Sequence, residues 1–278
     1  MKFSVQNIIK KLKNNGHVTL NKAISQKLCN QAKLNILKLH NSLKKNKKFN
    51  DEASSRGQQI IRDLPLRDPD AFLIFANLKI IMKVLKNIFN DHFILDNMMA
   101  SNSINVESNY DRKVHIDSQM PINQFSLTTD VVAMIYLDDF KIKNGATKAW
   151  PGSHKSGIRI HHEKNANKKI LRKPKYLIGP RGSISFLLGQ TWHQVGVNLT
   201  EESRWAIFLH YKRWWMKPST DFTKCGRTIF NKLNNENKKL FGFTSISPKF
   251  NLKKKLKNIY MIRNINNVSK NYSKALKH

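Results

Sequence analysis

The chain has 278 residues, 40% of them hydrophobic and 24% charged, which is enough for a sizeable core in one large or two small domains. A formal charge of +32 raises nucleic acid or an anionic membrane as partners. Two cysteines, Cys29 and Cys225, exclude a disulfide scaffold and a thiolate metal cluster.

In chain order, residues 5–13 read as a short helix that Gly16 breaks, and His17-Val18-Thr19-Leu20 reads as a first strand. Asn21 is placed to cap a helix over 22–45, striped by Ile24, Leu28, Ala32, Leu34, Leu37 and Leu39. A polar, mobile segment is expected over 46–59, then a helix or helix pair over 68–90. From about 93 the strands become short and the turns frequent. Candidates are 93–106, 112–117, 126–137, 147–150, 175–179, 183–188, 193–197 and 204–212. Val131 to Leu137 is apolar on both faces and predicts a central, covered strand. Beyond Pro218 the pattern weakens, with short basic helices expected over 226–240 and 249–259 and a loosely held end over 264–278. Helices followed by many short strands predict a mainly β sandwich or barrel with helices packed on one sheet. No linker divides it, so 1–278 reads as one domain with a core at about 93–215 and a basic extension over about 219–278.

Basic residues are spread from end to end, and Lys, Asn and Ile are abundant together, as an AT-rich coding sequence would give. That favours a diffusely basic, solvated surface over a nucleic-acid face, and it attracts anionic small molecules either way. No stretch approaches the roughly 20 apolar residues of a spanning helix, and no signal-peptide core is visible. A cytoplasmic protein without a membrane span is expected.

The chemistry gathers at Val114-His115-Ile116-Asp117. On a strand, His115 and Asp117 share one face and reach one ion. Alone, H-x-D is weak. His193, between a strand ending at Gly189 and a polar turn, offers a third ligand. Along 204–211, Trp205, Ile207, Leu209 and Tyr211 form a core face, which sets Arg204, Ala206, Phe208 and His210 on the other. An arginine on the inner face of a barrel is costly unless it meets an anion. Two His and one carboxylate make the facial triad of non-haem Fe(II) oxygenases, in which a 2-oxo acid and dioxygen take the open positions. The far carboxylate of 2-oxoglutarate is best held by an arginine.

With Asn144-Gly145-Ala146-Thr147, Pro151-Gly152-Ser153-His154-Lys155 and Asn198, these segments resemble the phytanoyl-CoA dioxygenase family over roughly 93–215. In that family the H-x-D pair precedes an N-G turn and P-G-S-H, and an arginine stands eleven residues after the distal histidine, as Arg204 does after His193. The resemblance implies a double-stranded β-helix (jelly roll, cupin-like). It implies Fe(II) on His115, Asp117 and His193, and 2-oxoglutarate on Arg204. The implied reaction consumes O2, forms succinate and CO2, and hydroxylates an unactivated C–H of a small molecule. Some relatives have Ser where Val195 stands, as a second contact to the co-substrate carboxylate; here Thr147, Tyr136 or another polar residue takes that place, or binding is weaker. Asn102 and Asn105 are candidates by position for the co-substrate's near end. Related halogenases carry a small residue at the position of Asp117, so the carboxylate argues for ordinary oxidation.

Several residues have plainer readings. His154 reads as structural, holding its turn. His161 and His162 read as solvated. His210 reads as a buried, hydrogen-bonded histidine facing the cavity, Trp192 as pocket wall or packing, and Trp214-Trp215 as core or rim. The substrate is expected to be a small molecule, anionic or an acyl-CoA among the options. The alternative is a basic protein binding nucleic acid or another anion on the same scaffold without redox chemistry.

Overall fold

The computed structural model describes residues 3–45, 58–90, 92–105, 113–118, 127–160 and 173–246. The chain opens with α1 (Val5–Asn15), whose N-cap Ser4 accepts from Asn7 N and whose last turn closes at Gly16, where the backbone N–H donates to Leu12 O at 2.8 Å. Then follow β1 (His17–Leu20), α2 (Gln26–Lys45), β2 (Gln58–Ile61), α3 (Leu64–Arg67), α4 (Pro69–Ala76) and α5 (Lys79–Phe89). The β core is built from β3 (Phe93–Ser103), β4 (Asp130–Tyr136), β5 (Lys148–Ala149), β6 (Lys175–Tyr176), β7 (Ile184–Leu188), β8 (His193–Gln194) and β9 (Arg204–Arg213). Two short helices, Gly226–Lys232 and Asn235–Leu240, complete the described chain.

Six strands make one antiparallel sheet in the order β1-β7-β4-β9-β3-β2, and three make a second in the order β6-β5-β8. This is the expected double-stranded β-helix, mainly β with flanking helices. The strand period of two sorts the large sheet's side chains between two surroundings. The outer face carries Met98, Ala100, Val131, Ala133, Ile135, Trp205, Ile207 and Leu209, and it packs in one cluster with Ile36, Phe72, Phe75, Ile81 and Leu85 from the helices. The inner face carries Val132, Met134, Tyr136, Leu187 and Ala206, which form a separate cluster with Phe140, Ala146, Ala149 and Leu177. Each large aliphatic or Phe side chain removed from water in this layer contributes about 1.5–3 kcal/mol, and the outer cluster holds more of them than the inner one.

Some expectations shift. The helix expected over 22–45 begins at Gln26, and Ile24 N instead donates to Gly182 O at 2.9 Å. The segment expected to be mobile over 46–59 contributes its last two residues to β2, paired with β3; 46–57 lie outside the described residues. The strand expected over 112–117 is a single antiparallel bridge, His115 to His193. The 226–240 expectation holds as two helices, while 249–259, 264–278, His161 and His162 lie outside the described residues. Among the described residues no helix is long and apolar enough to cross a membrane.

Candidate metal centre and co-substrate cavity

The bridge at His115 is what assembles the centre. His115 N donates to His193 O and His193 N to His115 O, each at 2.9 Å. This brings the two rings to 4.2 Å between centroids. Asp117 N donates to Gly189 O at 2.9 Å, which holds the carboxylate on the same side. The Asp117 oxygens lie 3.9 Å from His115 Nε2 and 3.5 Å from His193 Nε2. One donor atom from each of the three residues falls within 4.8 Å of the others, a spacing that one ion can bridge. Each ring's far nitrogen meets a backbone carbonyl: His115 Nδ1 and Lys113 O are 3.1 Å apart, and His193 Nδ1 and Thr191 O are 3.0 Å apart. A carbonyl accepts only, so both Nδ1 atoms carry the proton and both Nε2 lone pairs face inward. The donor set therefore fits a divalent transition metal. Burial opposes ionisation of Asp117, but the imidazoles of His193, His210 and His115 and the Lys212 ammonium outweigh it, and its carboxyl titrates below the ordinary range.

A backbone knot behind His193 explains the P-G-S-H motif. Ser153 Oγ accepts from Trp192 N at 2.9 Å and donates to Trp150 O at 2.6 Å. His154 Nε2 lies 3.1 Å from Lys13 O, at the end of α1. Thr191 Oγ1 donates to Gly16 O at 3.0 Å. The motif thus ties the residue before the distal histidine to the α1–β1 turn, and His154 is structural as expected. The motif's role is positional: Ser153 holds Trp192 N, and His154 reaches the end of α1. Gly189 has a separate reason: a Cβ there would collide with the buried Asp130 carboxylate. Both Asp130 oxygens are buried, with the Ser118 hydroxyl as their polar support. Burial, then the charge of Asp117, pushes its carboxyl up to about 7.

A cavity of about 670 Å³ opens onto the three residues. Val132, Met134, Leu187 and Phe208 give it an apolar wall, and Gln58, Thr147, His210 and Lys113 are its polar contributors beside the triad. His210 Nε2 is buried without a partner, so the expected hydrogen bond at that atom is missing, and burial lowers the ring's pKa.

Arg204 stands at the other end of the inner face. Its Nε donates to Asn144 O and its Nη2 to Gly145 O, both at 3.0 Å, and its guanidinium lies 3.8 Å from the Phe140 ring centroid. The N-G turn is therefore the cradle of the arginine. Gly145 has φ +82°, and a Cβ on it would press on Gly196 O. Arg204 is not itself among the cavity-lining residues, whereas Thr147 and Val195 are.

The remaining candidates divide. Tyr136 is on the inner face, but its hydroxyl bonds Leu177 O at 2.7 Å and Ser185 Oγ at 2.6 Å, which ties it into the barrel wall. Trp192 turns away from the cavity and packs with Ile116, Trp150 and Ile160, and its Nε1 donates to Ile158 O at 3.0 Å. Asn102 is a correction: it lies on the helix-facing side, opposite Trp205, and gives its amide to Gln59. Asn105 is exposed and makes one bridge to Asn198. Sequence reasoning missed Gln58 and Ile60, which reach the cavity from β2.

The family model described as "Phytanoyl-CoA dioxygenase (PhyH)" matches residues 12–206. The chain belongs to that family. Among solved structures, the PhyH chain is similar to the non-heme alpha-ketoglutarate-dependent epimerase SnoN from nogalamycin biosynthesis, with TM-score 0.61 and 17% identity over 75% of this chain and 80% of that one. It is similar to HygX from Streptomyces hygroscopicus, solved with nickel and 2-oxoglutarate bound, with TM-score 0.60 and 13% identity over 78% and 90%. It is similar to the carbocyclase SnoK from nogalamycin biosynthesis, with TM-score 0.62 and 14% identity over 77% and 87%. These likenesses establish the shared fold.

Proposed function

We propose that this PhyH-family protein is an Fe(II)- and 2-oxoglutarate-dependent oxygenase that hydroxylates an unactivated C–H of a small organic molecule. The observation that carries the reading is the His115–Asp117–His193 cluster, with both Nε2 atoms turned inward, opening onto the cavity. The named relatives support it: SnoN was solved with Fe3+ and alpha-ketoglutarate, and HygX with iron.

In this reading His115 Nε2, His193 Nε2 and one Asp117 oxygen would hold the ion and would leave it accessible to non-protein ligands. Bound together, iron, 2-oxoglutarate and O2 supply a C–H oxidation coupled to release of succinate and CO2. The residues of the chain do the rest. Arg204, fixed by the Asn144 and Gly145 carbonyls and by Phe140, faces the distal carboxylate with its orientation already set. Thr147 lines the cavity as a further polar side chain. The apolar wall keeps water from the reacting carbon. Lys113 at the cavity edge and the charge of +32 favour an anionic substrate, acyl-CoA included.

Succinate release from 2-oxoglutarate, dependent on Fe(II) and abolished by a chelator, tests the class. Product mass tests the outcome: hydroxylation adds one oxygen. A product with no added oxygen would overturn hydroxylation and place the chemistry nearer the epimerase and carbocyclase relatives. A protein that binds nucleic acid with a steep salt dependence, is indifferent to His115→Ala and makes no succinate would overturn the oxygenase reading altogether.

A further inference from the structure

Ser103, the last residue of β3, is 2% exposed, and its Oγ is buried without a hydrogen-bond partner. An unpaired buried hydroxyl lowers stability, and such groups in a native protein call for an explanation. Its place in the sheet supplies one. Ser103 stands directly opposite Arg204 in the β3–β9 ladder. Directly opposed residues of an antiparallel pair share a face, with Cβ atoms about 5 Å apart. The face is the inner one, because Met99 and Phe208, opposed in the same ladder four residues along, both line the cavity.

The surroundings narrow the role. A Cβ on Gly145 would stand 3.2 Å from Ser103 Oγ, and the Gly145 carbonyl accepts from Arg204. Hydroxyl and guanidinium therefore flank one short backbone segment. Phe140, Ala146 and Ala206 pack at that end, and Val195 lines the cavity nearby; the buried Asn198 amide beside them is already engaged, its Nδ2 with Ser103 O and Glu202 O and its Oδ1 with Thr200. Gln58, opposite Ser103 on β2, already donates to Ser101 Oγ at 2.6 Å. An anion arriving beside Arg204 thus meets one buried hydroxyl whose hydrogen bond is unmade.

We infer that Ser103 is a positioning residue for the co-substrate. Its Oγ–H donates to the distal carboxylate of the five-carbon 2-oxo diacid and supplies the second contact that Val195 lacks. The inference rests on the reading that Arg204 faces that carboxylate.

The test is an anaerobic absorption titration of the Fe(II) protein with 2-oxoglutarate, comparing wild type with Ser103→Ala. It is repeated with 2-oxobutyrate, which has no distal carboxylate, and accompanied by Fe(II) affinity and thermal unfolding. Expected is an increase of about tenfold in the 2-oxoglutarate Kd, the worth of one hydrogen bond to a charged group. Fe(II) affinity should not change, and the two proteins should bind 2-oxobutyrate alike. The variant should unfold at the same or a higher temperature, because alanine removes an unpaired buried hydroxyl. Equal 2-oxoglutarate affinity in the two proteins would overturn the inference. So would an equal loss with both co-substrates, or a loss accompanied by a lower unfolding temperature, which would mark Ser103 as a structural residue. A wild type that binds no 2-oxoglutarate would instead overturn the oxygenase reading on which the inference stands.

Discussion

The two faces of β9 have different surroundings. Outward, Trp205, Ile207, Leu209 and Tyr211 are each 1% exposed or less, and even the Tyr211 hydroxyl is paired, with Ala76 O at 2.9 Å. Inward, Phe208 and His210 border a cavity, His210 Nε2 is unpaired, and Arg204 is anchored to backbone carbonyls. The outward face is closed and its side chains are large and apolar. The inward face leaves polar atoms unmatched on His210 and Ser103. Polar atoms kept buried and unpaired reduce stability, so those on the inner face point to a place where the protein serves something other than its own folding.

Substitutions along this strand should separate the two roles. The largest effect is expected outward. Trp205→Ala should cost about 3–5 kcal/mol in denaturant unfolding, because it opens a cavity under α2 and the sheet; a cost below about 1 kcal/mol would contradict the claim that this face carries the stability.

The next effect is set by pH and lies at the edge of the same sheet. Burial, followed by the charges of Lys175 and His154, pushes His17 down to about 4. A histidine depressed in the folded state is protonated more readily in the unfolded chain, so stability falls as pH drops from about 6.5 towards 4. The loss approaches roughly 3 kcal/mol at the acid end. In His17→Gln the pH profile over that window should flatten; an unchanged slope would assign the acid sensitivity elsewhere.

The smallest effect on stability is expected inward. Phe208→Ala should cost only about 1–2 kcal/mol, since its ring already borders empty space. It should nevertheless alter binding in the cavity, measured as a changed 2-oxoglutarate affinity or substrate range. A stability cost matching that of Trp205→Ala would erase the distinction between the faces.

The contrast was partly legible from the sequence. Alternation over Arg204 to Tyr211 assigned both faces of β9, and the H-x-D pair with the distal histidine marked the three residues that the fold brings within reach of one ion. P-G-S-H could be placed, but its physical role could not: Ser153 reaches Trp192 N only through a long-range contact that no local pattern announces. β2 was missed because Gln58-Gln59-Ile60-Ile61 offers two apolar residues after a polar run, too little for a period to show. Asn102 was set near the co-substrate, whereas its neighbours Ser101 and Ser103 hold the inner positions; one residue of register moves a side chain through the sheet. Ser103 had no sequence signal at all. Its significance lies in a missing hydrogen bond, which only coordinates reveal.

The central claim is that His115, Asp117 and His193 hold one iron on which 2-oxoglutarate chelates. An anaerobic absorption titration of Fe(II) and 2-oxoglutarate, wild type against His193→Ala, tests it most directly. The account predicts a saturable metal-to-ligand absorption band in wild type and its loss in the variant, with the folded far-UV signature retained in both. A band of equal intensity and affinity in His193→Ala, or none in wild type, would contradict it.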